Sequence, residues 1–69
     1  MDFNKETALV ETVLFLESEP LTAKVLSNKA QLSEEVVEKC LEKLKEKYGA
    51  EDSGIELVMI TGGWCLAPK

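Results

Sequence analysis

Three features of the 69-residue sequence predict a small α+β domain of winged-helix type. Three segments with helical periodicity come first, the last two of them are separated by a short connection, and two apolar-rich strands joined by a glycine pair follow. The second and third segments have the arrangement of a helix-turn-helix, and the hairpin after them completes the order helix, helix, helix, strand, strand. Residues 1–69 are therefore predicted to form a single winged-helix domain.

The first helix is predicted from capping and breaking residues. Asn4 has the side chain of an N-cap, and the apolar periodicity runs from there to about Ser18. Pro20 cannot continue a helix because it lacks a backbone N–H and its ring clashes with the preceding turn. The second helix is predicted to begin at Thr22, which is again an N-cap residue.

The third helix is predicted to run from its cap, Ser33, to about Tyr48. A leucine stands before each of the two caps and an apolar residue stands at the fourth helical position, which is the spacing of a hydrophobic staple in Leu21 with Leu26 and Leu32 with Val37. Gly49 is expected to end the third helix in the left-handed conformation. Polar residues 49–54 then lead into the strands.

The hairpin is predicted to turn at Gly62 and Gly63, since a two-residue type I′ turn needs positive φ at both central positions. Thr61 is then opposite Trp64, and the pairs Met59 with Leu66 and Ile60 with Cys65 follow. One face of the hairpin is expected to cover the helices, with Trp64 in the core; it comprises Ile55, Leu57, Met59, Trp64 and Leu66.

The charge of the chain argues against binding to nucleic acid. Eight lysines, no arginine and thirteen acidic residues give a net charge of −5, which repels a polyanion. A helix that reads the major groove presents basic or amide side chains near its start, whereas this third helix begins with Ser33, Glu34 and Glu35. A DNA-binding transcription regulator, with residues 33–39 in the groove, is the alternative function.

No residue pattern points to catalysis or to a bound cofactor, metal or small molecule. The chain has no histidine and no glycine-rich loop at a helix start, and neither cysteine has a base nearby in sequence. Cys40 and Cys65 are far apart, and both are interpreted as buried apolar fillers and not as a disulfide or metal pair. The chain is expected to be non-enzymatic. Without a secretory signal or a membrane-spanning run, it is expected to be cytoplasmic.

The chain has more apolar surface than one small core can bury. In the first helix Leu9, Val10, Val13, Leu14 and Leu16 fill a wide apolar arc, while Ala8 and Phe15 lie on the opposite side. The outer face of the hairpin is also apolar where a solvated wing would alternate. We therefore expect homodimerisation through Ala8, Phe15, Val58, Ile60 and Cys65. A monomer with scattered exposed hydrophobes is the alternative.

Charges on the third helix are segregated by sign. Lys39, Lys43 and Lys47 form one column, and a second column contains Glu34, Glu38, Glu42 and Glu46. Each column could face an opposite column on a partner. The other interpretation is a solvated face on which i,i+3 contacts between lysine and glutamate offset the repulsion.

Several stretches together resemble a known family. They are ALVE at 8–11, LFLESEPLT at 14–22, LS at 32–33, SGIELV at 53–58 and GGWCL at 62–66. In this order and spacing they are similar to the amino-terminal region of segregation and condensation protein B (ScpB). The resemblance implies a non-enzymatic accessory subunit of the prokaryotic condensin complex, which dimerises, binds the kleisin subunit ScpA and thereby associates with the SMC ATPase at the nucleoid.

Members of that family carry two winged-helix domains in tandem, whereas this sequence ends just after one wing strand. Residues 1–69 are therefore expected to be the first domain of a longer protein. The resemblance places much of the ScpA contact on the second domain and homodimerisation on the first. The dimer-interface candidates come from the apolar surplus and not from the resemblance.

Overall fold

A computed structural model describes residues 3–69 and contains three helices followed by an antiparallel hairpin. The elements are α1 (Asn4–Leu16), α2 (Ala23–Ala30), α3 (Glu34–Tyr48), β1 (Ile55–Ile60) and β2 (Gly63–Pro68). This is the predicted order of a winged helix, so the α+β class is confirmed. Within residues 3–69 there is no helix of the length and apolarity needed to cross a membrane.

Helix α1 differs from the prediction at both ends. Asn4 is its first helical residue, and the N-cap is Phe3, which has a left-handed φ of 54°. The helix ends at Leu16, and not near Ser18, because Glu17 is already extended. The connection has to extend so that Leu21 can reach β2, where its N–H and C=O both bond to Trp64 at 2.9 and 2.7 Å.

The predicted starts of α2 and α3 are confirmed. Thr22 accepts a hydrogen bond from the N–H of Val25, and Ser33 accepts one from the N–H of Val36, each at 3.2 Å. Both are side-chain N-caps that satisfy a free donor of the first turn. Between the two helices Gln31 takes a left-handed φ of 56°, which turns the chain sharply into α3.

Gly49 ends α3, but not in the predicted conformation. Its φ and ψ of −80° and −9° are right-handed. A Cβ at this position would lie 2.9 Å from the carbonyl oxygen of Lys45. Position 49 therefore requires a glycine because there is no room for a Cβ atom, and not because the backbone has a positive φ.

The predicted hairpin register is wrong, because the turn lies one residue earlier in the chain than predicted. The central turn residues are Thr61 and Gly62, with φ of 47° and 81°, and Gly63 belongs to β2. Gly63 is a glycine for a different reason, because a Cβ at this position would lie 2.8 Å from the carbonyl carbon of Pro20. The observed pairs are Leu57 with Leu66, Val58 with Cys65, Met59 with Trp64 and Ile60 with Gly63.

The register error leaves the two faces of the hairpin unchanged, because every partner moves by two residues and side chains alternate with a period of two. The face predicted to cover the helices does so only in part. Leu57 is buried and Trp64 and Leu66 are half-buried against the core, whereas Met59 is 56% exposed and Ile55 is 38% exposed. Only the middle of this face is thus covered by the helices.

The core lies between the three helices and the middle of the hairpin. Cys40 is completely buried within it, as predicted, whereas Cys65 is only half-buried because it lies on the outer face of the hairpin. The buried residues are Val10, Leu14, Leu21, Leu26, Ala30, Val37, Cys40, Leu41, Leu44 and Leu57.

Candidate functional site

The exposed side of α1 is largely apolar. Only Val10 and Leu14 of this helix are buried, while Phe15 is 78% exposed and Leu16 is 71% exposed. Leu9 is also exposed, so the predicted core arc was too wide and the apolar surplus is larger than the sequence indicated. Ala8 is exposed as predicted.

The end of α1 lies beside the base of the hairpin. Phe15 lines one groove with Cys65 and Ala67 and a second with Ile55. The apolar surface of α1 therefore continues onto the strands. We refer to Ala8, Leu9, Phe15, Leu16 and Ile55 together as the α1 surface.

The outer hairpin face is less open than predicted. Val58 and Cys65 form a cross-strand pair and both are half-buried, while Ile60 is 46% exposed next to the turn. Of the five predicted interface residues, the structure brings Phe15 and Cys65 to one groove. Ala8 lies two turns away along α1, about 10 Å by helix geometry.

A second groove, which the sequence did not predict, lies between α3, the start of α2 and the hairpin turn. We call it the α3–wing groove; its lining residues are Ala23, Glu38, Leu41, Glu42, Lys45, Met59, Gly62 and Trp64. The sequence analysis placed Met59 on the face that covers the helices. In the structure the helices do not reach Met59, and its side chain is open to this groove. The sequence signal that could have indicated this groove was the i,i+4 spacing of Glu38 and Glu42, which places both carboxylates on one side of α3.

A polar cluster joins α1 to the end of α3. The carboxylate of Glu11 accepts hydrogen bonds from the Tyr48 hydroxyl and from Lys47 Nζ, the latter at 3.1 Å. The Tyr48 hydrogen bond, aided by Lys47, lowers the pKa of Glu11 against the opposing effect of burial. The same hydrogen bond, with burial, raises the pKa of Tyr48 to about 12. This cluster joins α1 to the end of α3, and the sequence analysis did not predict it.

The start of α3 carries the acidic character expected from the sequence, and the turn of the wing is uncharged. Ser33, Glu34 and Glu35 are exposed, and the turn residues Thr61 and Gly62 bring no positive charge. In residues 3–69 no group of three or more His, Cys, Asp or Glu side chains is placed to hold a metal ion. The cysteines in that range are both unpaired. The chemistry of these surfaces is that of binding by apolar contact and by negative charge.

Residues 8–69 match the family model of the segregation and condensation complex subunit ScpB. The chain is similar to a solved dimer of the ScpB N-terminal domain complexed with ScpA peptide, with a TM-score of 0.88 and 29% identity over 97% of this chain and 78% of that one. The comparison with curated proteins finds no match.

Two further solved structures share the fold. They are ScpB from Mycobacterium tuberculosis (TM-score 0.87, 23% identity, 100% of this chain and 43% of that one) and a conserved hypothetical protein from Chlorobium tepidum (0.77, 18%, 94% and 41%). This chain thus spans less than half the length of either. The family match over residues 8–69 shows that the chain belongs to the family of the segregation and condensation complex subunit ScpB.

Proposed function

We propose that this chain is a non-enzymatic accessory subunit of a condensin complex of the SMC–kleisin type, and that it acts in chromosome condensation and segregation by binding other subunits. The observation that carries the proposal is the ScpB family match over residues 8–69, on a domain whose open surfaces suit binding. The proposed place of action is the nucleoid in the cytoplasm.

Self-association is proposed through the α1 surface. Phe15 and Leu16 are both more than two-thirds exposed, although burying such a side chain stabilises an assembly by about 1.5 to 3 kcal/mol. A contiguous exposed apolar patch on a small soluble domain is a candidate interface. The similar ScpB N-terminal domain was solved as a dimer, which supports the same assembly for this chain.

ScpA is the proposed second partner, and the SMC ATPase is proposed to join through it. The solved ScpB N-terminal domain holds a ScpA peptide, and 97% of this chain aligns with that domain. We therefore propose that residues 1–69 contribute directly to ScpA binding. That a second domain carries most of the contact stays a prediction.

Two measurements on the 69-residue chain test the proposal. Sedimentation velocity across the micromolar range should show a concentration-dependent dimer, and ScpA from the same organism should co-elute with the chain in size-exclusion chromatography. A chain that stays monomeric throughout contradicts the dimer. Failure to retain ScpA, together with a salt-dependent shift of duplex DNA, would instead support the DNA-binding alternative.

A further inference from the structure

We propose that the α3–wing groove is the docking site for a cationic segment of ScpA that carries one apolar anchor side chain. This rests on the proposed binding of ScpA and adds the place of contact and the chemistry that recognises the segment. The occupant follows from the lining of the groove and from the charges at its rim.

The floor of the groove is apolar and partly open to water. It is an open groove of about 540 Å³, and Leu41, Met59 and Trp64 contribute its apolar surface. Met59 is 56% exposed, and the flexible thioether side chain adapts to different apolar partners. An aliphatic or aromatic anchor of the bound segment would cover Met59 and the accessible part of Trp64.

The rim of the groove carries two carboxylates that form no ion pair within residues 3–69. Glu38 and Glu42 are one turn apart on α3, so they lie on the same side of the helix. The ion pairs found in residues 3–69 are Lys47 with Glu11 and Lys29 with Glu17, and neither involves these two glutamates. A lysine or arginine of a partner would therefore find two free carboxylates.

Lys45, the cation at this rim, is directed to the aromatic floor. Its Nζ lies 5.6 Å from the centroid of the Trp64 ring, a distance at which the ring face attracts a cation. The same ring can hold an incoming arginine or lysine in place of Lys45. The groove thus presents two carboxylates and an aromatic face to a positive side chain.

A second copy of this chain is a poor occupant of the groove. Each copy has a net charge of −5, and a twofold contact at this groove would bring two acidic rims together. The α1 surface shares no residue with the α3–wing groove. A dimer built on α1 therefore leaves the groove free for ScpA.

Charge reversal with a matched control tests the site. In E38K/E42K each Glu→Lys change adds +2, so the net charge goes from −5 to −1. The control E46K/E51K makes the same change in net charge at exposed positions outside the groove lining. The probes are purified ScpA from the same organism and short synthetic peptides that tile its sequence and lack tryptophan.

We expect E38K/E42K to weaken ScpA binding by about tenfold or more, since like charges then face each other across the contact. The control should bind like the wild type, and both variants should still dimerise. Trp64 is the single tryptophan of the chain, so the active peptide should also change its fluorescence emission.

The outcomes separate the two proposals. If the wild type binds ScpA and E38K/E42K binds equally well with no change in Trp64 emission, the groove is not the site, although the proposed function stands. Equal weakening in E38K/E42K and E46K/E51K would show a general charge effect and also overturn the site. If the wild type itself does not bind ScpA, the proposed function fails and the docking site fails with it.

Discussion

Replacing Phe15 with alanine is expected to break the proposed dimer and to leave the folded monomer intact. Phe15 is 78% exposed in the single chain, so its ring contributes little to the core. Alanine also has the highest helix propensity, which favours α1. We expect the free energy of unfolding of the monomer to change by less than about 0.5 kcal/mol, as is usual for surface substitutions.

The effect on the dimer follows from the area that the ring exposes. Full burial of a Phe side chain is worth about 1.5 to 3 kcal/mol, and the exposed 78% corresponds to about 1.2 to 2.3 kcal/mol. A twofold interface contains the residue twice, which gives about 2 to 5 kcal/mol. Because about 1.4 kcal/mol is a factor of ten, the Kd of the dimer should rise about 30-fold to about 4,000-fold.

Sedimentation velocity over a concentration series measures this Kd, and urea unfolding monitored by circular dichroism checks the monomer. The matched control is Met59→Ala, which removes an apolar side chain of similar exposure (56%) from the α3–wing groove. The control should dimerise normally. An F15A chain that dimerises as tightly as the wild type would refute the assignment of Phe15 to the interface, as would an equal loss in the control.

Two further predictions concern the scaffold. Gly63→Ala should destabilise the domain by about 1 to 3 kcal/mol in urea unfolding, because its Cβ would clash with Pro20. Gly54→Ala, whose Cβ meets no atom within 4 Å, should change the free energy by less than about 0.5 kcal/mol; equal losses would refute the close approach. Tyr48 should ionise in an ultraviolet absorbance titration at a pKa of about 12, and Glu11→Gln should move that pKa back toward the ordinary value. The pKa of Tyr48 is higher in the folded chain than in the unfolded chain. The stability that the hydrogen bond from Tyr48 to Glu11 contributes is therefore complete below pH 10 and is lost as pH rises from 10 to about 12. An unchanged pKa in E11Q would exclude the hydrogen bond as its cause.

The element order and the starts of α2 and α3 were predictable because the signals are local. Thr22 and Ser33 each bond to a backbone N–H three residues ahead, so sequence spacing alone locates them. The faces of the hairpin were predictable for a similar reason, since alternation survives an error of two in the pairing.

The positions that were predicted wrongly depend on contacts between distant parts of the chain. In the sequence Gly63 resembles a turn residue. In the structure it packs closely against Pro20, which lies far away in sequence. The early end of α1 follows from the bridge between Leu21 and Trp64. The exposure of Met59 depends on how far the helices extend beneath the hairpin, which periodicity does not reveal.

The contrast between this domain and a DNA-reading winged helix lies on its surface and not in its backbone. The same fold hosts different functions, so the side chains on α3 and the wing have to decide between them. Here the first turn of α3 presents Glu34 and Glu35, and the rim of the adjacent groove presents two unpaired carboxylates. A phosphate backbone would be repelled where a cationic peptide is attracted. The negative charge that disfavours nucleic acid on α3 therefore agrees with the proposed polypeptide partner in the adjacent groove.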